Sequence, residues 1–255
     1  MRTTKQTIIG GGPGRRRGLT TVLRRLGPAI ASGACALAFL FTASGPADSL
    51  DAKTSYPSGA SLAQYRMASR SEEIALARSA APASIANDAD VMVLGEHGYE
   101  TAVKGKNGFV CLVDRSWGSQ FNDPEFWNFK VRSPTCFNPA AVRSVLPAHL
   151  ERTQWVMAGR SKAEILDRAK SSATANTAPA TGSFSYMMSR QGHLSDADGH
   201  WHPHLMFYQS RATAAAWGAN LPDSPVFAKE GGPDEPTLFY VPVRKWSDGT
   251  VDEDH

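Results

Sequence analysis

The sequence lacks several features that would identify a protein class directly. Its longest apolar run, Ala29–Ala43, has 15 residues, whereas a helix needs roughly 20 to span a bilayer. The chain contains no G-x-S-x-G, P-loop or H-E-x-x-H motif, and no Rossmann glycine pattern follows a predicted strand. These absences disfavour a membrane span in the mature chain, nucleotide chemistry and the common motif-bearing hydrolases.

Acidic residues are missing from the first 47 positions, which hold seven of the chain's 27 Lys and Arg residues. Residues 48–255 therefore carry 20 basic and 24 acidic groups, a net charge of −4. A mildly acidic body offers no general attraction to phosphate backbones. We therefore expect no nucleic-acid partner, although the net charge of the whole chain is +3.

Residues 1–47 have the order that is typical of an export signal. A basic stretch precedes the apolar run Ala29–Ala43, and small residues at 45–47 suit cleavage before Asp48. Arg16-Arg17 resembles a twin-arginine export signal, and both the twin-arginine and the general secretory route stay open. The sequence thus predicts a protein exported across the inner membrane, either periplasmic or secreted. Whether the signal is cleaved or retained as an anchor also stays open.

Cysteine is scarce, and its distribution favours one disulfide. Cys35 lies within the predicted signal, so the exported chain keeps Cys111 and Cys136. An even number of cysteines in an oxidising compartment favours a bridge. The chain contains no C-x-x-C motif, so we expect structural support rather than redox chemistry. Two buried free thiols are the alternative.

The pattern of apolar residues predicts one α+β domain over residues 61–255, after a flexible leader at 48–60. The β-prone runs are Ala89–Leu94, Phe109–Val113, Phe184–Met188, His204–Tyr208 and Thr237–Val243. Helical signals are Ser61–Ala80, a start at Asn138-Pro139 with a break at Pro147, and a capping box at Ser161–Glu164. We expect a mainly antiparallel sheet of four to five strands with helices on one face.

Four segments together resemble a family of exported bacterial proteins. They are Gly98-Tyr99, the NGFVCLV run at 107–113, the CFNP run at 136–139 and the WHPHLMFY run at 201–208. The likeness extends from about residue 62 to Val243, nearly the whole predicted mature chain. The family has no assigned activity, so the resemblance implies export and a single domain and transfers no catalytic residue.

Histidine is concentrated in one segment. The run His193–His204, HLSDADGHWHPH, contains four of the seven histidines and two aspartates. Imidazole and carboxylate groups are the usual ligands of zinc and other divalent ions. On one strand face, the Cα atoms of His202 and His204 would lie about 6.6 Å apart, close enough for both rings to share an ion.

A metal site would need a further ligand, for which His200 and Asp198 are the first candidates. His200 lies too far from His204 along a straight strand, so a bend at Pro203 or a more distant ligand is required. The more distant candidates are His193, Asp196 and Glu230. The alternative interpretation is an exposed loop whose histidines form hydrogen bonds.

Two functions from different classes remain. The favoured one is an exported, non-catalytic binding module that needs no cofactor and has an unknown envelope or extracellular partner. The alternative is a metal-dependent hydrolase built on the His193–His204 segment, with a divalent ion such as zinc and a bound water as nucleophile. The sequence assigns no catalytic residues and does not decide between the two.

Overall fold

A computed structural model describes residues 56–197, 201–210, 212–231 and 235–253. These residues belong to the second of two compact units, Asp51–His255. The predicted export signal and most of the predicted leader lie outside the described residues. Within the described ranges, no helix is long and apolar enough to cross a membrane.

The described residues form six α-helices, two short 3-10 helices and eight strands. The α-helices are α1 (Leu62–Tyr65), α2 (Arg70–Arg78), α3 (Ala83–Ala86), α4 (Pro139–Ser144), α5 (Leu146–Met157) and α6 (Lys162–Ser171). The strands are β1 (Asp90–Leu94), β2 (Tyr99–Val103), β3 (Val110–Asp114), β4 (Ser133–Phe137), β5 (Phe184–Met187), β6 (His204–Gln209), β7 (Phe227–Lys229) and β8 (Thr237–Pro242). The 3-10 helices span Ser116–Gly118 and Ala214–Trp217.

All eight strands join in one mixed sheet, in the order β2-β1-β3-β4-β5-β6-β8-β7. Strands β1 and β3 are parallel, and the other neighbouring pairs are antiparallel. The prediction of a four-to-five-stranded, mainly antiparallel sheet was therefore wrong. The sequence did not predict strands β2, β4 and β7. Strand β4 contains Pro134, and proline argues against an inner strand. Strand β2 and the three-residue β7 are edge strands in which apolar and polar residues alternate only weakly.

Helices cover both faces of the sheet, which corrects the second part of the prediction. Successive strand residues point to opposite faces. In β3, Cys111 and Val113 pack in one core cluster with α2, whereas Val110 and Leu112 pack in another with α4 and α5. The central strand β3 is consequently buried on both sides, as its burial at every position shows.

Three local signals in the sequence were read correctly. The Asn138 side chain caps α4 by accepting a hydrogen bond from the Ala141 amide, and Pro147 lies in the first turn of the separate helix α5. The Ser161 and Glu164 side chains complete the predicted capping box of α6. The predicted helix Ser61–Ala80 is instead two helices, because the backbone is extended where α1 ends and again at Ser69, which caps α2.

The predicted disulfide is confirmed. Cys111 of β3 lies directly opposite Cys136 of β4 in the antiparallel register, and the two sulfur atoms are bonded. Both residues are fully buried beneath α2. The bridge therefore joins the two central strands on the face opposite to α4 and α5.

A buried ion pair fixes α1 and α2 to the end of β3. Arg115 is 1% exposed, and its Nη2 lies 2.8 Å from Oε1 of Glu73 in α2. Arg115 also donates from Nε to the carbonyl of Tyr65 at 2.6 Å, and Oε1 of Glu73 accepts from the Leu94 amide at 3.1 Å. The two charges are thus satisfied together and connect α1, α2, β1 and β3.

Replacing Glu73 with alanine should destabilise the protein strongly. The change leaves the Arg115 guanidinium buried without its counter-charge, which typically costs about 3–5 kcal/mol. Glu72 lies next to it in α2 with an exposed side chain, so Glu72→Ala is the matched control, expected to change stability by less than about 0.5 kcal/mol. Urea unfolding followed by circular dichroism measures both; equal unfolding midpoints for the two variants would contradict this role.

Candidate functional site

A cavity of about 500 Å³ lies between the sheet and helices α5 and α6. Its floor consists of side chains from β3–β6 and β8, and its walls come from α5, α6 and the loop that precedes β8. Small-molecule sites in proteins typically occupy about 300–1,000 Å³. The cavity therefore has the size of a small-molecule site.

The alternation of strand residues explains which side chains line the floor. In β6 the buried positions His204, Met206 and Tyr208 alternate with less buried ones, and these three residues line the cavity. In β3, Asp114 continues the face that begins with Val110 and Leu112. Helix α5 contributes four lining residues at the spacing of about one turn: Ala148, His149, Arg152 and Trp155.

A carboxylate–imidazole pair stands at one side of the cavity. Oδ2 of Asp114 lies 2.9 Å from Nδ1 of His149, and since a carboxylate only accepts, Nδ1 carries the hydrogen. Oδ1 of Asp114 accepts from the Arg115 amide at 3.0 Å, and the His149 ring packs edge-on against Phe137 at 5.4 Å. These contacts orient the ring, as the carboxylate does in catalytic imidazole pairs.

An ion pair between Arg152 and Glu235 lies one turn further along α5. Nη2 of Arg152 lies 3.5 Å from Oε1 of Glu235, and Nη1 donates to the carbonyls of Trp117 and Ser119 at 3.1 and 2.8 Å. The guanidinium lies 4.1 Å from the centre of the Phe121 ring. Burial lowers the pKa of Arg152, and the negative charge of Glu235 opposes that effect.

His204 faces the cavity as a neutral ring. Its Nδ1 lies 2.8 Å from the carbonyl oxygen of His202 and must donate to it, because a carbonyl only accepts. The rings of Trp201 and Tyr240 contact the imidazole edge-on at 5.8 and 5.4 Å. Burial lowers the pKa of His204 below its ordinary value of 6.5, and the hydrogen bond to the His202 carbonyl opposes part of that effect.

The two histidines that were predicted to share an ion differ in burial and in their contacts. Strand β6 begins at His204, so His202 precedes it rather than lying on its face. The His202 side chain is 41% exposed, with Nδ1 2.6 Å from Oδ2 of Asp252, whereas His204 is buried against the cavity. The other two predicted ligands, Asp198 and His200, lie outside the described residues.

The more distant ligand candidates have contacts of their own. Nε2 of His193 lies 2.9 Å from Oδ1 of Asp196, and Oδ2 of Asp196 lies 2.9 Å from Nζ of Lys130. Oε1 of Glu230 accepts a hydrogen bond from the Ala214 amide at 2.6 Å. Among the residues that the structure describes, no three His, Cys, Asp or Glu side chains gather as a metal site. The metal assignment of His202, His204, His200 and Asp198 stays a prediction.

The sequence analysis missed Asp114, His149, Arg152 and Glu235. Asp114 and His149 are far apart along the chain and come together only because α5 crosses the end of β3. One signal was available: His149 and Arg152 share a face of the predicted helix after Pro147, as residues three apart do. That signal alone does not reveal which strand end the face meets.

No protein family, curated protein or solved structure matches this chain. The resemblance to exported bacterial proteins therefore stays a prediction.

His204 should make stability depend on pH below neutrality. The pKa of His204 is lower in the folded protein than its ordinary value of 6.5, which we take for the unfolded chain. As the pH falls, His204 is therefore protonated first in the unfolded chain. The free energy of unfolding consequently decreases from about pH 6.5 downward. Each pH unit between the two pKa values corresponds to about 1.4 kcal/mol. Urea unfolding at about pH 7.5 and about pH 5 should show a smaller loss for His204→Phe than for the wild type; equal losses would contradict the assignment.

Proposed function

We propose that the protein is an exported, non-catalytic binding module that holds a small molecule in the cavity beneath α5. The observation that carries the proposal is the cavity of about 500 Å³ into which polar groups converge from a strand end, a helix and a loop. Apolar surface with a few fixed polar groups is typical of ligand sites. Here the apolar part includes Met187, Met206 and Leu238.

The polar groups of the cavity are held in place by neighbours rather than by the ligand. Asp114 orients His149 at 2.9 Å, and two backbone carbonyls and Glu235 hold Arg152. Side chains that are fixed before binding lose little conformational entropy when a ligand arrives. This arrangement supports binding without a large rearrangement.

Export is the other part of the proposal. The basic, apolar and small-residue order of residues 1–47 supports it. The disulfide between Cys111 and Cys136 is compatible with it, because such bonds persist in oxidising compartments. The protein would then meet its ligand in the cell envelope or outside the cell.

Filling the cavity should abolish binding of an apolar probe. Ala148 lines the cavity, and Ala148→Phe places a phenyl ring in its volume; we expect the affinity for Nile red to fall at least about tenfold. Ala163 lies exposed on α6, so Ala163→Phe is the matched control, expected within about twofold of the wild type. Fluorescence titration measures all three, and circular dichroism checks their folding. Equal affinities for the two variants, or no binding to the wild type, would overturn the proposal.

A second candidate function is hydrolysis of a bound ester, favoured by the Asp114–His149 pair. When the His149 ring is neutral, Nε2 can accept a proton from a water molecule that attacks an ester carbonyl, and the products are the acid and the alcohol. This candidate differs from the predicted metal-dependent hydrolase, because an imidazole rather than a metal ion activates the water.

Turnover of 2-naphthyl acetate separates the two candidate functions. An enzyme should release 2-naphthol, and His149→Gln should slow that release by about 100-fold or more. A wild-type rate no faster than that of His149→Gln would exclude the hydrolase for this ester and leave the binding proposal intact.

A further inference from the structure

The hydrogen-bonding groups of the cavity include an imidazole nitrogen without a partner. Nδ1 of His204 gives its hydrogen to the carbonyl of His202, so Nε2 of the neutral ring carries a lone pair. No described residue forms a hydrogen bond with this Nε2. The ring is 8% exposed and lines the cavity, so a donor inside the cavity can supply the partner that this lone pair lacks.

A further acceptor lines the same cavity. Asp114 takes the Nδ1 hydrogen of His149, so Nε2 of that ring is also an acceptor when the ring is neutral. Gln120 also lines the cavity, but its unpartnered Oε1 has almost no accessible surface, so this oxygen is not offered to a ligand. The lining therefore presents acceptors that only a donor can satisfy.

The two guanidinium groups of the lining already have acceptors. Arg152 donates to two backbone carbonyls and lies beside Glu235, and the Tyr208 hydroxyl shares a hydrogen bond with Ser185 at 3.0 Å. Arg115 also lines the cavity, but its guanidinium is paired with Glu73.

The charges around the cavity cancel. Apart from Arg115, which is paired with Glu73, the lining contains two negatively charged residues, Asp114 and Glu235, and two positively charged residues, Arg152 and Lys170. With neutral histidines the described lining has no excess of either sign. Because burying an uncompensated charge is expensive, neither an anion nor a cation is favoured over a neutral molecule.

We infer that the ligand is an uncharged amphipathic molecule bearing a hydroxyl group, an alcohol or a phenol, whose hydroxyl donates to Nε2 of His204. Nε2 of a neutral His149 ring offers an acceptor for a second hydroxyl. The apolar part of the ligand lies on Met187, Met206 and Leu238. This inference rests on the proposed binding function and specifies its ligand class.

Three naphthalene derivatives of similar size test the inference on the wild-type protein. We expect 2-naphthol to bind about five- to tenfold more tightly than 2-methoxynaphthalene, which has no hydroxyl donor, as the net free energy of one hydrogen bond allows. 2-Naphthoate, an anion, should bind more weakly than 2-naphthol. Isothermal titration calorimetry at about pH 7.5 compares the three in a pH range where the His204 ring is neutral.

His204→Phe identifies the acceptor. Phenylalanine keeps a planar ring against Trp201 and Tyr240 but removes Nε2, so the preference for 2-naphthol should shrink to less than about twofold. Ala163→Phe on the exposed side of α6 should keep the wild-type preference. If His204→Phe does not fold, the comparison of the three compounds on the wild type still tests the ligand class.

The outcomes separate the ligand class from the binding function. Equal affinities for 2-naphthol and 2-methoxynaphthalene, tighter binding of 2-naphthoate, or an unchanged preference in a folded His204→Phe variant would overturn the inference. If none of the three compounds binds, the inference about the ligand class is overturned as well. In that case, Nile red binding to the wild type that Ala148→Phe abolishes would still support the proposed binding function. Failure of Nile red together with the three compounds would overturn both.

Discussion

The buried ion pair between Arg115 and Glu73 is the interaction on which the rest of the structure depends. The ion pair forms where β3 ends. The side chains of the consecutive residues Asp114 and Arg115 point toward opposite faces of the sheet. Arg115 contacts α1 and holds α2 on one face, and Asp114 holds His149 of α5 on the other. One strand end thus fixes the helices of both faces and positions the imidazole at the cavity.

This arrangement links the stability of the fold to the chemistry of the site. A buried guanidinium is tolerated when its counter-charge and hydrogen bonds are complete, and Arg115 meets that condition through Glu73, Tyr65 and Val113. Oδ1 of Asp114 in turn accepts the Arg115 amide. The Asp114 carboxylate, which orients His149, is therefore held by the backbone of Arg115, the residue that forms the buried ion pair. The same buried contacts thus stabilise both the fold and the position of His149.

Local features of the chain were predictable, and long-range pairing was not. The caps at Asn138 and Ser161 depend on neighbours within one turn, so the sequence reveals them. Strand β4 was not predicted, because Pro134 weakens the strand pattern of its sequence. In the structure β4 is nevertheless an inner strand that pairs with β3 and β5. The density of histidine in His193–His204 drew attention to a metal, but His202 and His204 lie in different surroundings, one exposed and one buried. The pair Asp114 and His149 could not be found, because it depends on where α5 crosses the sheet.

A structure of the protein crystallised with 2-naphthol tests the central claim most directly. The account predicts the naphthyl ring inside the cavity beneath α5, with its hydroxyl oxygen about 2.8 Å from Nε2 of His204, a normal hydrogen-bond distance. The ring should rest on Met206 and Leu238, which line the floor. A cavity that holds water alone at saturating 2-naphthol, or a naphthol seated elsewhere on the protein, would contradict the account.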